Sequence, residues 1–264
     1  MLTVFKGTEN LSQALENYLT DSKTLSFATG DFLYVGYRKP FSDIYLELKP
    51  LAIVANSLSV DYFDGSWTSL NFHDLTNSLN RSGFIRWDKT LVEDWQKSVV
   101  QGQELYWIRL YVTNAVTNLE VKGINLVFAD DQDLREGYPD VMEYLPEGSV
   151  SFIAYHQEAR NYILTHLRNK GKTIQQQNKY KLLDQFDLHN FDEIRQAAKY
   201  LALSNIFANE SDSVDDKWKQ KSDGFFRKYS EAINLNFLSI DENDNGKVEN
   251  NESNAVQYIR VMRL

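Results

Sequence analysis

LEVKGINLVFADDQDLREGYPDVMEYL, residues 119–145, changes its repeat halfway along. Up to Asp130 the stretch has the Val, Ile and Phe content of a strand. From about residue 131 the pattern is different, and DLREGYPDVMEYL (133–145) reads as a short helix broken at Pro139. What lies on either side follows the same division. Residues 25–130 contain LSFAT, DFLYVGYRKP, SDIYLELKP, LAIVANSLSVDYF, SWTSLNF, GFIRWD, ELYWIRLYVTN and LEVKGINLVFAD, separated by turn pairs such as Asp64-Gly65 and Gln101-Gly102. Short strands at close spacing predict an antiparallel β-sandwich, jelly-roll-like, over residues 1–130. A short helix at 11–19 is expected before it, and a helical turn at 91–99 within it.

Downstream, SFIAYHQEARNYILTHLRNKG (151–171) carries the 3.6-residue period and stops at a glycine. Asn190 with Glu193, and Ser213 with Asp216, resemble capping boxes opening helices over 190–209 and 214–237. Each helix has an apolar face too wide to leave in water, so the three are expected to pack together. The predicted fold class is α+β with two domains: the sandwich at 1–130, and a helical domain at 131–264 ending in a strand-like tail.

Length and composition fit this division. A chain of 264 residues with 42% hydrophobic residues can bury a large core. Its formal net charge of −9 argues against a protein built to grip phosphate, while leaving DNA free to slide past. The absence of cysteine excludes disulfides, thiolate metal sites and cysteine nucleophiles. No secretory signal is visible, and the longest wholly apolar stretch is LAIVA at 51–55, so no membrane association is expected.

Near the C-terminus, DENDNGKVENNE (241–252) fills every position of a calcium-loop pattern. Asp241, Asn243 and Asn245 take the first three ligand positions, Gly246 the bend, Lys247 a backbone carbonyl, Glu249 a direct or water-mediated position, and Glu252 the closing one. A structural Ca2+ of modest affinity is one reading, because two early ligands are neutral. An acidic, Asn-rich surface turn is the other. Beyond it, AVQYIRVMRL (255–264) places Val256, Tyr258, Ile259, Arg260, Val261, Met262, Arg263 and Leu264 in a short strand-like segment. Such a segment needs a partner edge.

Taken together, the helices at 151–171, 190–209 and 214–237, the acidic loop and the arginine-bearing tail resemble the head-to-tail connector, or adaptor, proteins of tailed bacteriophages. The resemblance covers roughly residues 135–264. It implies a virion protein of the neck, made in the host cytoplasm, forming a ring of about twelve copies beneath the portal. The genome would pass through without sequence-specific binding, and the tail would reach the next neck or tail component. The minimal adaptor is essentially helical, so the sandwich is a departure, expected to be an accessory domain.

A basic run suits that picture. From Ala159 to Leu183 there is no acidic residue, while Arg160, Arg168, Lys170, Lys172, Lys179 and Lys181 are cationic. It reads either as a solvated helix end or as a face towards the portal or DNA. The intervening GKTIQQQNKYK is expected to be mobile before assembly.

Nothing in the sequence points to catalysis, and no catalytic residue is assigned. His73, His156, His166 and His189 lack metal-ligand spacing, and Asp61, Asp64 and Asp74 show no spacing that separates them from loop acids. Trp67, Trp87, Trp95 and Trp107 are expected in the sandwich core. Were they exposed, the alternative would be a carbohydrate- or ligand-binding sandwich with a helical attachment domain.

Overall fold

A computed structural model describes residues 2–16, 23–49, 57–92, 94–169, 173–176, 179–182, 184–188, 191–213 and 216–234. It is a mixed α/β structure, with antiparallel sheets in the N-terminal part and helices in the C-terminal part. In chain order the first part contains β1 (Thr3–Lys6), β2 (Glu9–Asn10), α1 (Ser12–Glu16), β3 (Lys23–Phe27), β4 (Leu33–Tyr37), β5 (Asp43–Leu48) and β6 (Leu58–Phe63). β7 (Trp67–Ser69), β8 (His73–Asp74), β9 (Gly83–Arg86), β10 (Lys97–Val100), β11 (Gln103–Val112) and β12 (Val116–Asn125) follow. The second part has α2 (Asp131–Gly137), α3 (Ile153–Asn169), β13 (Thr173–Gln176), β14 (Lys179–Leu182), α4 (Phe191–Asn209) and α5 (Lys217–Asn234).

Two compact units divide this chain. One takes the described residues up to Val127 together with 146–154; the other takes 128–145 and the described residues from 155 onward. The segment 146–154 therefore returns to the first unit, which a single boundary near residue 130 does not anticipate. Its attachment is visible in a buried cluster of Tyr45, Phe84, Val127 and Ile153, and in the Ser151 hydroxyl donating to Glu47 Oε1 at 2.9 Å.

In the first unit, one sheet has the order β2-β1-β4-β11-β6-β7, with β10 also pairing β11. Cross-strand register aligns Ile108 with Val35 and Tyr62, and Leu110 with Leu33 and Val60. All six of these side chains are buried, so one face of the sheet is apolar throughout. The second sheet runs β3-β12-β5-β9-β8. Its register pairs Ile44 with Ile85 and Leu46 with Ile124, again buried. β5 is buried at every position, which explains why its sequence DIYLEL lacks an exposed polar face. β1 and β2 precede the first strand expected from the sequence; the turn between them contains Gly7 at φ 57°, a conformation glycine adopts without strain.

An aromatic cluster closes one end of this core: Phe41 packs 5.3 Å from Trp87 and 4.9 Å from Trp95, and Trp95 lies 6.2 Å from Tyr62. Trp107 is buried too, its ring over Gly36 and 5.9 Å from Phe5. Three of the four tryptophans of this half are thus core residues, as their size favours. Trp67 is not one of them. The helical turn expected at 91–99 is shorter, a 3-10 turn at Lys89–Val92, because Lys97–Val100 pairs with β11 as a strand.

In the second unit, α4 and α5 lie antiparallel, since Ser204 donates to the Ser222 carbonyl while Phe207 stacks on Trp218 and Tyr200 on Phe225. Ser222, Phe225, Tyr229 and Ile233 form the buried stripe of α5 at helical spacing. α5 begins three residues after the expected start: Asp216 Oδ1 accepts from Trp218 N at 2.6 Å, so Asp216 and not Ser213 caps it. Asn190 lies outside the described residues. Two capping boxes absent from the expectations are built from aspartates alone, Asp130 with Asp133 and Asp184 with Asp187. α2 ends at Gly137 before Pro139, which opens a 3-10 turn to Tyr144, so the break falls where proline demands it.

Candidate functional site: an aromatic patch on the helical unit

Among its described residues, the helical unit leaves two large apolar side chains in water. Tyr162 of α3 is 46% exposed and Phe226 of α5 is 43% exposed. Tyr229 links them, with ring centroids 5.9 Å from Tyr162 and 5.6 Å from Phe226. Spacing explains the geometry. Phe226 sits one residue beyond the buried Phe225 and three before Tyr229, at the margin of the α5 stripe. On α3, Ile163 is buried while the preceding Tyr162 turns outward and stacks on His166 at 6.4 Å.

Tyr229 itself is buried, and among the described residues its hydroxyl has no hydrogen-bond partner. Burial, with a smaller push from Tyr162, raises its pKa to about 12. The folded protein therefore holds this proton to about pH 12, whereas the unfolded chain loses it near pH 10. The associated stability is intact below about pH 10 and falls as pH rises towards 12, by up to about 1.4 kcal/mol per pH unit. Tyr229→Phe should flatten this fall and, by removing an unpaired buried hydroxyl, stabilise the isolated chain by about 1 kcal/mol at neutral pH. Urea midpoints of both proteins between pH 8 and pH 11 check it.

Of the basic run, Arg160 and Arg168 are the residues whose side chains the structure describes. Arg160 donates from Nε to Gln185 Oε1 at 2.7 Å, and its Nη2 lies 3.8 Å from Asp184 Oδ1. That guanidinium is held inside the unit, because the aspartate box at 184–187 sets a carboxylate beside it. Arg168 is half-buried in the last turn of α3. Lys170 and Lys172 lie outside the described residues. Lys179 and Lys181 pair with Gln176 and Ile174 in the β13–β14 hairpin, so the polar stretch expected to be mobile contains regular backbone pairing. The loop ligands Asp241, Asn243, Asn245, Lys247, Glu249 and Glu252, and the tail Val256–Leu264, also lie outside the described residues. Among the described residues, no three His, Asp or Glu side chains converge as a metal group.

The remaining polar residues singled out from the sequence serve local structure. His156 is fully buried, with Nε2 2.9 Å from Asp131 Oδ1. Hydrogen bonds from Thr68 and Ser66 hold the Asp64 carboxyl below its usual range, and Asp74 accepts from Thr76 and Ser78. Asp61 is paired with Arg109 at 2.8 Å. These three aspartates each have their own partners and do not form an opposed pair of carboxylates. Sequence reasoning missed the Tyr162–Phe226 patch; the signal available was the double aromatic Phe225-Phe226, of which a helix can bury only one on a narrow stripe.

No family model matches the chain, and neither a curated protein nor a solved structure matches it. No helix among the described residues is long and apolar enough to cross a membrane.

Proposed function

We propose that the protein is a structural adaptor of a tailed-phage neck. It assembles as a ring on the portal and passes a segment to the next neck or tail component, and its role is structural and not catalytic. We read the first unit as an accessory β-sandwich, a reading supported by the buried sets of Ile108 and Leu110 on one sheet and of Ile44 and Leu46 on the other.

The observation that carries the reading is the exposed pair Tyr162 and Phe226 on a unit of three long helices. Exposed aromatics around a buried, unpaired hydroxyl are what a subunit contact would cover, and aromatic anchors of this kind dominate interface energy. The order of α3, α4 and α5, on which the resemblance to connector proteins rests, supports it.

The test is co-expression with the portal protein of the same genome, followed by mass photometry and negative-stain imaging. The native chain should add a ring to the portal. Tyr162→Ser with Phe226→Ser should abolish it, while the variant keeps its helical circular dichroism. A native chain that never joins the portal would overturn the adaptor reading. A ring unaffected by the double substitution would overturn the assignment of this patch.

A further inference from the structure

The sheet of β1, β4, β11, β6 and β7 has a second face, and its chemistry differs from the buried one. Across it, register aligns Tyr34, Arg109 and Asp61 as direct neighbours on three adjacent strands. Phe32, Trp67 and Tyr111 surround them, and all four aromatic residues are half-buried. Phe5 and Trp107 are buried towards one edge of this face; beyond them, where an antiparallel sheet faces water, it normally alternates to polar residues. Here four rings take those places around a single ion pair.

Arg109 is fixed more firmly than an ordinary surface cation. Its guanidinium carbon lies 4.2 Å from the Phe32 ring centroid and 4.8 Å from that of Trp67. Nε donates to Asp61 Oδ2 at 2.8 Å. Among the described residues this is the only hydrogen bond Arg109 makes, so both terminal nitrogens keep their donors for another group. Asp61, whose side chain is 6% exposed, accepts at Oδ1, among the described residues, only a long bond of 3.4 Å from the Tyr111 hydroxyl. The rings are themselves braced: Tyr34 lies 5.7 Å from Trp67, and Phe32 lies 5.5 Å from Tyr111. The result is a flat fork of donors beside an under-used carboxylate oxygen, both set among aromatic rings.

That combination selects one ligand chemistry. The pair is electrically neutral, so an anion approaching the fork meets Asp61 behind it, and phosphate or carboxylate gains little. A polyhydroxyl ligand can accept from the guanidinium and donate to the carboxylate at once. Its C–H faces can lie on aromatic rings that an anion does not need. We propose that this face binds a neutral oligosaccharide, with hydroxyls bridging the terminal nitrogens of Arg109 and Oδ1 of Asp61 and a sugar ring resting against Trp67. The site belongs to the first unit and does not depend on the adaptor reading.

Affinity electrophoresis of the full chain tests it, using gels that each contain dextran, a mixed-linkage β-glucan, a galactomannan or, as the acidic comparison, polygalacturonate. At least one neutral polymer should retard the protein. Trp67→Ala should weaken that retardation about tenfold or more, through loss of the ring surface. Arg109→Lys keeps the charge next to Asp61 but loses the fork, and should weaken it similarly even if Trp67→Ala proves poorly folded. Val99→Ser, at the 66% exposed position of β10, should leave it unchanged. Retardation by none of the neutral polymers, by polygalacturonate alone, or undiminished in Arg109→Lys would overturn the proposal. Portal binding is a separate readout, so either reading can fail without the other.

Discussion

Gly36→Ala is expected to destabilise the first unit by about 3 kcal/mol, the upper end for overpacking a core and a large share of what a domain of this size possesses. A Cβ at position 36 would lie 2.5 Å from two carbon atoms of the Trp107 ring. The ring cannot step aside at small cost. It is fully buried, packs against Phe5, and its Nε1 donates to the carbonyls of Ser98 and Gln103 at 3.0 and 3.2 Å. Trp95 further ties the same residue by donating to the Trp107 carbonyl at 3.2 Å. Accommodating one methyl group thus means expelling the largest buried side chain of the sheet. The check is a urea denaturation series with Gly36→Ala, Trp107→Leu and the pair together. Shrinking the tryptophan should relieve the clash, so the double variant should be more stable than the sum of the two single losses allows. A Gly36→Ala protein within about 1 kcal/mol of the native chain would show that the ring has room to move.

Asp133→Ala should cost the second unit about 3 kcal/mol, near the lower end for breaking a buried ion pair. Asp133 has two structural tasks. Oδ2 accepts from the Asp130 backbone N at 2.9 Å, closing the capping box of α2. Oδ1 accepts from Arg195 Nε at 2.6 Å, with Nη2 of the same guanidinium also in contact, joining α2 to α4. The aspartate side chain is 2% exposed and the arginine 28%, so water can compensate the guanidinium only in part once its partner is gone. In the native chain the hydrogen bond to Asp133 raises the pKa of Arg195, and without it the guanidinium still keeps its proton, because arginine stays charged in proteins. Removing both charges should be milder. Asp133→Asn with Arg195→Met keeps an acceptor for the Asp130 N–H and leaves no orphaned cation. Thermal unfolding by circular dichroism should rank native, double variant and Asp133→Ala in that order of stability. A single variant as stable as the double would mean that the cation is fully solvated after all.

The helices were the most legible part of the sequence because their signal is local. The stripe Ser222, Phe225, Tyr229 and Ile233 announces α5, and Pro139 announces the end of α2. Strands β3 to β7, β9, β11 and β12 were legible in type through their Val, Ile, Tyr and Trp content, whereas the two-residue β8 and the polar-flanked β10 were not. What was hidden depends on partners far along the chain. Trp107 and Arg109 share one face of β11, yet one is buried against Phe5 and the other is wedged between Phe32 and Trp67; alternation alone cannot tell these fates apart. Asp61 looked like a loop acid because Arg109, its partner, is 48 residues away. The β13–β14 hairpin was missed for a different reason: TIQQ and KYKL carry no continuous apolar face, so polar composition masked the pairing. The Tyr162–Phe226 patch had only a faint trace, since exposure depends on which helices crowd α3 and α5.

The distribution of indole rings turns this chain into its own pair of clocks. Four of the five tryptophans, Trp67, Trp87, Trp95 and Trp107, report from the first unit, and Trp218 reports alone from the second, stacked on Phe207 with Lys221 at 4.5 Å. Replacing Trp218 with phenylalanine would silence one clock and leave the other running. Fluorescence from the two proteins, compared through a single unfolding run, would then time the loss of each half separately without any added label.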